Sequence, residues 1–127
     1  MKTILVDAVY TFVSDTGEIF QEMFDLLEKY PNRKIILTNA ADDKWTQYGL
    51  DKMPYEVFTL KHNPEKTDPK YFEILLKHFG LGANEVVYFE HNASAVKSAE
   101  SAGITSFFYD QNKKDLPALQ NFLNENL

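Results

Sequence analysis

The run Ile4-Leu5-Val6-Asp7-Ala8-Val9-Tyr10-Thr11 decides the reading of this chain: an unbroken apolar stretch stops at one carboxylate, with a threonine four residues further on. A short apolar, β-branched run without polar alternation reads as a strand buried on both faces. Thr3 to Asp7 is therefore predicted to be a strand, and four similar runs follow at Lys34 to Thr38, Glu56 to Leu60, Glu85 to Glu90 and Ile104 to Tyr109. The segments between them carry helical period instead. Phe20, Met23, Phe24 and Leu27 fall at i, i+3, i+4 and i+7, and Phe72, Leu75, Leu76 and Phe79 repeat that spacing. The second of these helices has Asp68 as N-cap, Pro69 at its first position and Gly80 just past its end. Further helices are expected from Ala41 to Tyr48, from Ala93 to Ala102 with a stop at Gly103, and around Leu116, Leu119, Phe122 and Leu123.

Alternating strands and helices imply an α/β protein with three layers in a Rossmann-like arrangement, a five-stranded parallel sheet between helices joined by right-handed crossovers. The 127 residues match one domain, 1–127, and a chain of this size buries roughly two-thirds of its unfolded surface. Composition narrows the function. A formal net charge of -6 with 13 Lys and Arg argues against nucleic acid, whose sequence-independent binding needs a basic face. No cysteine is present, so disulfides and thiolate metal sites are excluded and a reducing cytoplasm is the expected location. Met1-Lys2-Thr3 lead directly into the first strand, without the pattern of a secretory leader. No apolar stretch approaches the roughly 20 residues that span a bilayer, so no membrane partner is expected.

In open parallel sheets, ligands bind beyond the carboxyl ends of the strands. The polar residues at those ends are Asp7, then Thr38 and Asn39, then Glu90 and His91, and Lys66 precedes a helix where it can reach the same edge. A carboxylate, hydroxyl and amide donors, a cation and a second acid around one crevice suit a phosphoryl group. Taken singly, each has a plainer reading. Asp7 can close a strand as a turn former, Thr38 and Asn39 can open a turn, Lys66 can be solvated and His91 can bond a loop carbonyl. Trp45 and Tyr48 read as packing residues of an amphipathic helix, and His62 and His78 as surface or loop histidines. The joint order along an alternating chain favours the functional reading.

That order resembles the haloacid dehalogenase-like (HAD) superfamily over nearly the whole chain. The first family motif is similar to Val6-Asp7-Ala8-Val9-Tyr10-Thr11-Phe12 and the second to Ile35-Ile36-Leu37-Thr38-Asn39-Ala40. The third is similar to Lys66-Thr67-Asp68-Pro69-Lys70-Tyr71-Phe72, and the fourth to Val86-Val87-Tyr88-Phe89-Glu90-His91-Asn92. The resemblance implies that Asp7 is the nucleophile, that Thr38, Asn39 and Lys66 hold the phosphate, and that Mg²⁺ binds at Asp7, the Val9 carbonyl and whichever of Glu90 and His91 faces the crevice. It also implies a protein without a cap domain, because the chain between Asp7 and Thr38 is too short to form one, and hence an open crevice. Tyr10 and Phe12, where small residues are common in the family, are expected to fill part of the pocket.

Two departures alter the expected chemistry. Family phosphatases carry a second acid two residues after the nucleophile, and this chain has Val9 there. Loss of a general acid/base typically removes a factor of about 100 to 10,000 in rate. A longer glutamate and an imidazole are poor substitutes for an aspartate on an octahedral Mg²⁺, so the cofactor is expected to bind weakly or not at all. Protonated His91 could then support phosphate binding that strengthens toward acid pH. The expected function is that of a HAD-like hydrolase-family protein with a degenerate phosphatase-type site, in which phosphomonoester hydrolysis through Asp7 is weak or lost. The alternative is an inactive HAD-like domain that binds a small phosphorylated molecule or a protein partner, or has no ligand in the crevice at all. A weaker alternative is metal-independent dehalogenation, to which Asp7-Ala8-Val9-Tyr10 and Asn92-Ala93 bear some likeness; Ala95 or a neighbour stands where that reaction needs an acid.

Overall fold

A computed structural model describes residues 1–127. Five strands, β1 (Thr3–Asp7), β2 (Lys34–Thr38), β3 (Glu56–Thr59), β4 (Val86–Glu90) and β5 (Thr105–Phe108), form one sheet in the order β3-β2-β1-β4-β5. All four pairings are parallel. The helices are α1 (Gln21–Leu27), α2 (Asp42–Trp45), α3 (Pro69–Phe79), α4 (Ala93–Ser101) and α5 (Leu116–Asn126). The predicted strands are all present, and three of them are a residue or two shorter than expected.

The two-residue period of the strands divides the core. Ile4 and Val6 of β1, Ile36 of β2 and Val87 and Phe89 of β4 face Met23 and Leu27 of α1 and Leu119 and Leu123 of α5. Leu5, Ile35, Leu37, Val86 and Tyr88 point to the opposite face, against Tyr71, Phe72 and Leu75 of α3 and Ala99 of α4. Burial on both faces is what makes β1, β2 and β4 read as continuous apolar runs. The strand order puts β1 at the centre, so Asp7 emerges at the middle of the carboxyl edge, between β2 and β4.

Local chemistry fixes the helix ends. Asp68 accepts from the Lys70 backbone N–H and Pro69 opens α3, while Gly80 ends it in the left-handed region at φ 64. Replacing Asp68 with alanine leaves a first-turn N–H unsatisfied and should cost about 1 kcal/mol in a urea titration. A change below about 0.3 kcal/mol would mean that water replaces the cap without penalty. The helix expected from Ala41 to Tyr48 is shorter, with α2 ending at Trp45 and turns running on to Gly49 at φ 66. Trp45 and Tyr48 both pack at the border of the core as expected, and Tyr48, beyond the helix, also lines a cleft.

No cap domain lies between β1 and β2. Residues 8–20 instead make a tight turn followed by small bridges, Val9 with Val13 and Val13 with Ile19, before α1. No helix is long and apolar enough to cross a membrane.

Candidate functional site

The carboxyl edge of the sheet opens into a cleft of about 420 Å³, and Asp7, Val9, Thr38, Asn39, Lys66, Glu90 and His91 all line it. The structure therefore brings together every residue that the sequence marked as a catalytic, phosphate or metal candidate. A larger cleft of about 670 Å³ lies on the far side of Tyr10, toward Tyr109 and Lys114. It holds no comparable set of interacting charges, so the smaller cleft is the candidate site.

Strand register accounts for the convergence. Asp7 ends β1 next to Leu37 of β2, and the Val6–Phe89 pairing puts Glu90 beside it on β4. Lys66 is brought in by its loop: its backbone N–H donates to Asn39 Oδ1 at 2.8 Å, tying the segment before α3 to the end of β2. The side chain is not solvated. Lys66 is buried, and its Nζ donates to Asp7 Oδ1 at 2.5 Å and to Glu90 Oε1 at 2.8 Å.

Both oxygens of Asp7 are engaged. Oδ2 accepts from Thr11 Oγ1 at 2.6 Å and from His91 Nδ1. Glu90 is fully buried, with Oε1 shared by Lys66 and the Tyr88 hydroxyl, while Oε2 accepts from the Asn92 N–H at 3.1 Å and lies 3.1 Å from His91 Nδ1. Both Glu90 and His91 line the crevice, Glu90 buried at its base and His91 half-buried beside it.

Two carboxylates and two nitrogen cations form a nearly neutral cluster. Burial alone would push the Asp7 carboxyl up, but the Lys66 ammonium and the His91 hydrogen bond hold it well below the usual carboxylate range. Burial likewise opposes the charge on Lys66, and Asp7 and Glu90 outweigh it, so the ammonium stays protonated well above its ordinary value. For His91, burial is outweighed by the hydrogen bonds to Asp7 and Glu90, which raise its pKa to about 9. The change of charge expected near neutral pH therefore lies on the alkaline side. Because the folded value exceeds the ordinary 6.5, the stabilisation from His91 is complete below pH 6.5 and is lost as pH rises through about 9. Urea titrations at pH 6.5, 8 and 9.5 should show a decline that His91→Asn lacks, whereas an equal decline in the variant would assign it to another group.

Thr38 and Asn39 both keep donors uncommitted at the cleft. Thr38 Oγ1 accepts from the Ala40 N–H at 3.1 Å, leaving its hydroxyl proton to donate, and Asn39 uses its oxygen on Lys66, leaving its amide N–H groups for the cleft. Tyr71 fixes this edge from below, donating to the carbonyl oxygens of Thr38 and Phe58.

The two aromatic residues that follow Asp7 separate. Tyr10 lines the cleft with its ring edge-on to His91 at 5.6 Å and a backbone φ of 72. That left-handed conformation costs a non-glycine residue roughly 1–2 kcal/mol. Phe12, in contrast, does not reach the pocket. Its N–H bonds to the Ala8 carbonyl in a tight turn that swings the ring into the core against Phe24 and Tyr55.

Three contributors were not assigned to the site from sequence. Tyr88 could have been, since it lies two residues before Glu90 on the same strand face. Thr11 is brought back by the turn after β1, which leaves no periodic signal. His62, read as a loop histidine, lines the cleft and pairs with Glu65 at 3.2 Å, while His78 packs on Phe58 and Phe79.

Comparison with known proteins bears on the architecture. No protein-family model matches the sequence, nor does any curated protein at the threshold applied. Solved structures do match. A HAD family enzyme from Bacteroides thetaiotaomicron, in complex with magnesium and inorganic phosphate, superposes with a TM-score of 0.69 at 12% identity, covering 85% of this chain and 93% of that one. An uncharacterized protein from Listeria monocytogenes gives 0.67 at 17% identity, over 85% and 78% of the two chains. A HAD-superfamily hydrolase of subfamily IA from Geobacter sulfurreducens gives 0.58 at 14%, over 86% and 87%. The chain has a HAD-like fold.

Proposed function

We propose that this chain binds a phosphorylated ligand in the crevice over Asp7 through Thr38, Asn39 and Lys66, and that hydrolysis through Asp7 is weak or lost. The observation that carries this reading is the state of Asp7: both oxygens are held by the protein's own donors, and Val9 lines the cleft where a proton donor is needed. A carboxylate so stabilised is a poor nucleophile, and its phosphoryl ester would have no positioned base to activate water.

Charge balance supports binding. An isolated Asp7 would repel phosphate across a low-dielectric cleft. Paired with Lys66 and His91 it adds little net repulsion, and the uncommitted donors of Thr38 and Asn39 face the same space. Magnesium in complex with a structural neighbour raises the question of a metal here. The donor set is a poor match for an octahedral Mg²⁺, which needs oxygens at 2.0–2.1 Å: each oxygen of Asp7 and Glu90 already accepts from a nitrogen, hydroxyl or backbone donor with which the ion would compete.

The cleft holds Ala95 but no further acid near Asn92 to direct water, which counts against the dehalogenase alternative. The functional test is a panel of phosphomonoesters with Mg²⁺ or Mn²⁺ present. Turnover within a few-fold of the Asp7→Asn control is expected. Robust turnover abolished by Asp7→Asn would show an intact phosphatase, and turnover surviving that substitution would remove Asp7 from the reaction.

A further inference from the structure

Asp7 and Glu90, at the ends of neighbouring strands, are joined twice by nitrogens of the protein. Lys66 Nζ links Asp7 Oδ1 to Glu90 Oε1, and His91 Nδ1 lies between Asp7 Oδ2 and Glu90 Oε2. We infer that the Nδ1–H of His91 takes the place of a divalent cation between these two carboxylates, so that the crevice receives an anion without bound metal. The part concerning the anion rests on the function proposed above; the bridge itself stands on geometry alone.

Asp7, Glu90 and His91 place their candidate ligand atoms within 4.8 Å of one another, close enough to surround an ion. What argues against an ion is the pattern of donors around them. Each of the four carboxylate oxygens already accepts a hydrogen bond: Asp7 Oδ1 from Lys66, Asp7 Oδ2 from Thr11 and His91, Glu90 Oε1 from Lys66 and Tyr88, and Glu90 Oε2 from Asn92. A metal between Asp7 Oδ2 and Glu90 Oε2 would need the place that His91 Nδ1 occupies, bonded to the first and 3.1 Å from the second. The imidazole needs no such displacement. It follows Glu90 directly on the chain, its ring lies edge-on to Tyr10, and its Nδ1–H bonds Asp7 while Nδ1 stays 3.1 Å from Glu90. Lys66 would be left in place if His91 were removed, so the variant site would keep two buried carboxylates facing a gap with one cation missing.

The test is a calorimetric titration of Mg²⁺, Mn²⁺ and Zn²⁺ into the phosphate-free protein and into His91→Ala and His91→Gln, with folding of each checked by circular dichroism. Wild type should show no saturable binding of Mg²⁺ or Mn²⁺ up to about 10 mM, a limit corresponding to a few kcal/mol of binding energy. At least one folded variant should bind Mg²⁺ or Mn²⁺ at least tenfold more tightly than wild type. Saturable wild-type binding that the substitutions weaken would make His91 a metal ligand and overturn the inference. Equal absence of binding in wild type and both variants would also overturn it, because the bridge would then not be what excludes the ion. No phosphate is present, so these outcomes are independent of whether the crevice binds a phosphorylated ligand.

Discussion

Lys66→Met should destabilise the protein by about 3–5 kcal/mol, the usual cost of removing one partner from a buried ion pair. Lys66 is 7% exposed and is the only ammonium contacting Asp7 and Glu90, themselves 1% and 0% exposed. Without it, two carboxylates face each other in low dielectric with only His91 to compensate. Against a typical total of about 5–15 kcal/mol this is a large fraction, and it corresponds to a drop of roughly 10–20 °C in Tm for a chain of this size. Lys66→Met combined with Asp7→Asn should recover part of the loss, since only one buried acid then lacks its partner, and such coupling is expected between contacting groups. The deficit of the single variant should also shrink toward acid pH as the orphaned carboxylates take up protons. A loss below about 1 kcal/mol by urea titration would mean that water reaches the cluster and that Lys66 is in effect a surface lysine.

The second large effect concerns turnover. Val9→Asp should raise phosphomonoester hydrolysis by about 100-fold over wild type, the lower end of what a general acid/base contributes. The low end is expected because the substitution restores a proton donor but leaves His91 between Asp7 and Glu90. Val9 is half-buried and lines the cleft, so an aspartate there can reach a leaving group bound over Asp7. The gain should vanish in Val9→Asp combined with Asp7→Asn. A gain of less than about threefold would show that the proton donor is not what limits the reaction, and a gain that survives without Asp7 would place the new acid in a different process.

Much of the architecture was readable because single residues carried the signals. Short apolar runs at Thr3 to Asp7 and at Glu85 to Glu90 read as strands buried on both faces, and Asp68-Pro69 with Gly80 marked both ends of α3. The helix beginning near Ala41 was overextended because Trp45 and Tyr48 satisfy helical spacing, yet the chain leaves α2 after Trp45 and turns at Gly49. Residues at the candidate site were found by one topological rule, that polar groups at strand carboxyl ends meet at one edge. That rule located Asp7, Thr38, Asn39, Glu90 and His91, and Lys66 was added from its place before α3. The rule could not give the pairing among them. Whether Lys66 was solvated or buried depended on the Asn39 bond to its backbone, and the position of His91 on both acids depended on the β1–β4 register. The misplacement of Phe12 has the same origin: a turn closed by backbone hydrogen bonds reverses side-chain direction without altering any sequence period.

Under the proposed function, the crevice over Asp7 holds a phosphoryl group by the protein's own donors. Calorimetric titration of inorganic phosphate into the protein, in the presence of a chelator, tests it most directly. A single saturable site is predicted, weakened about tenfold in Thr38→Val, which removes one donor worth roughly 1.4 kcal/mol. No saturable binding up to about 10 mM phosphate, or the same affinity in Thr38→Val as in wild type, would contradict it.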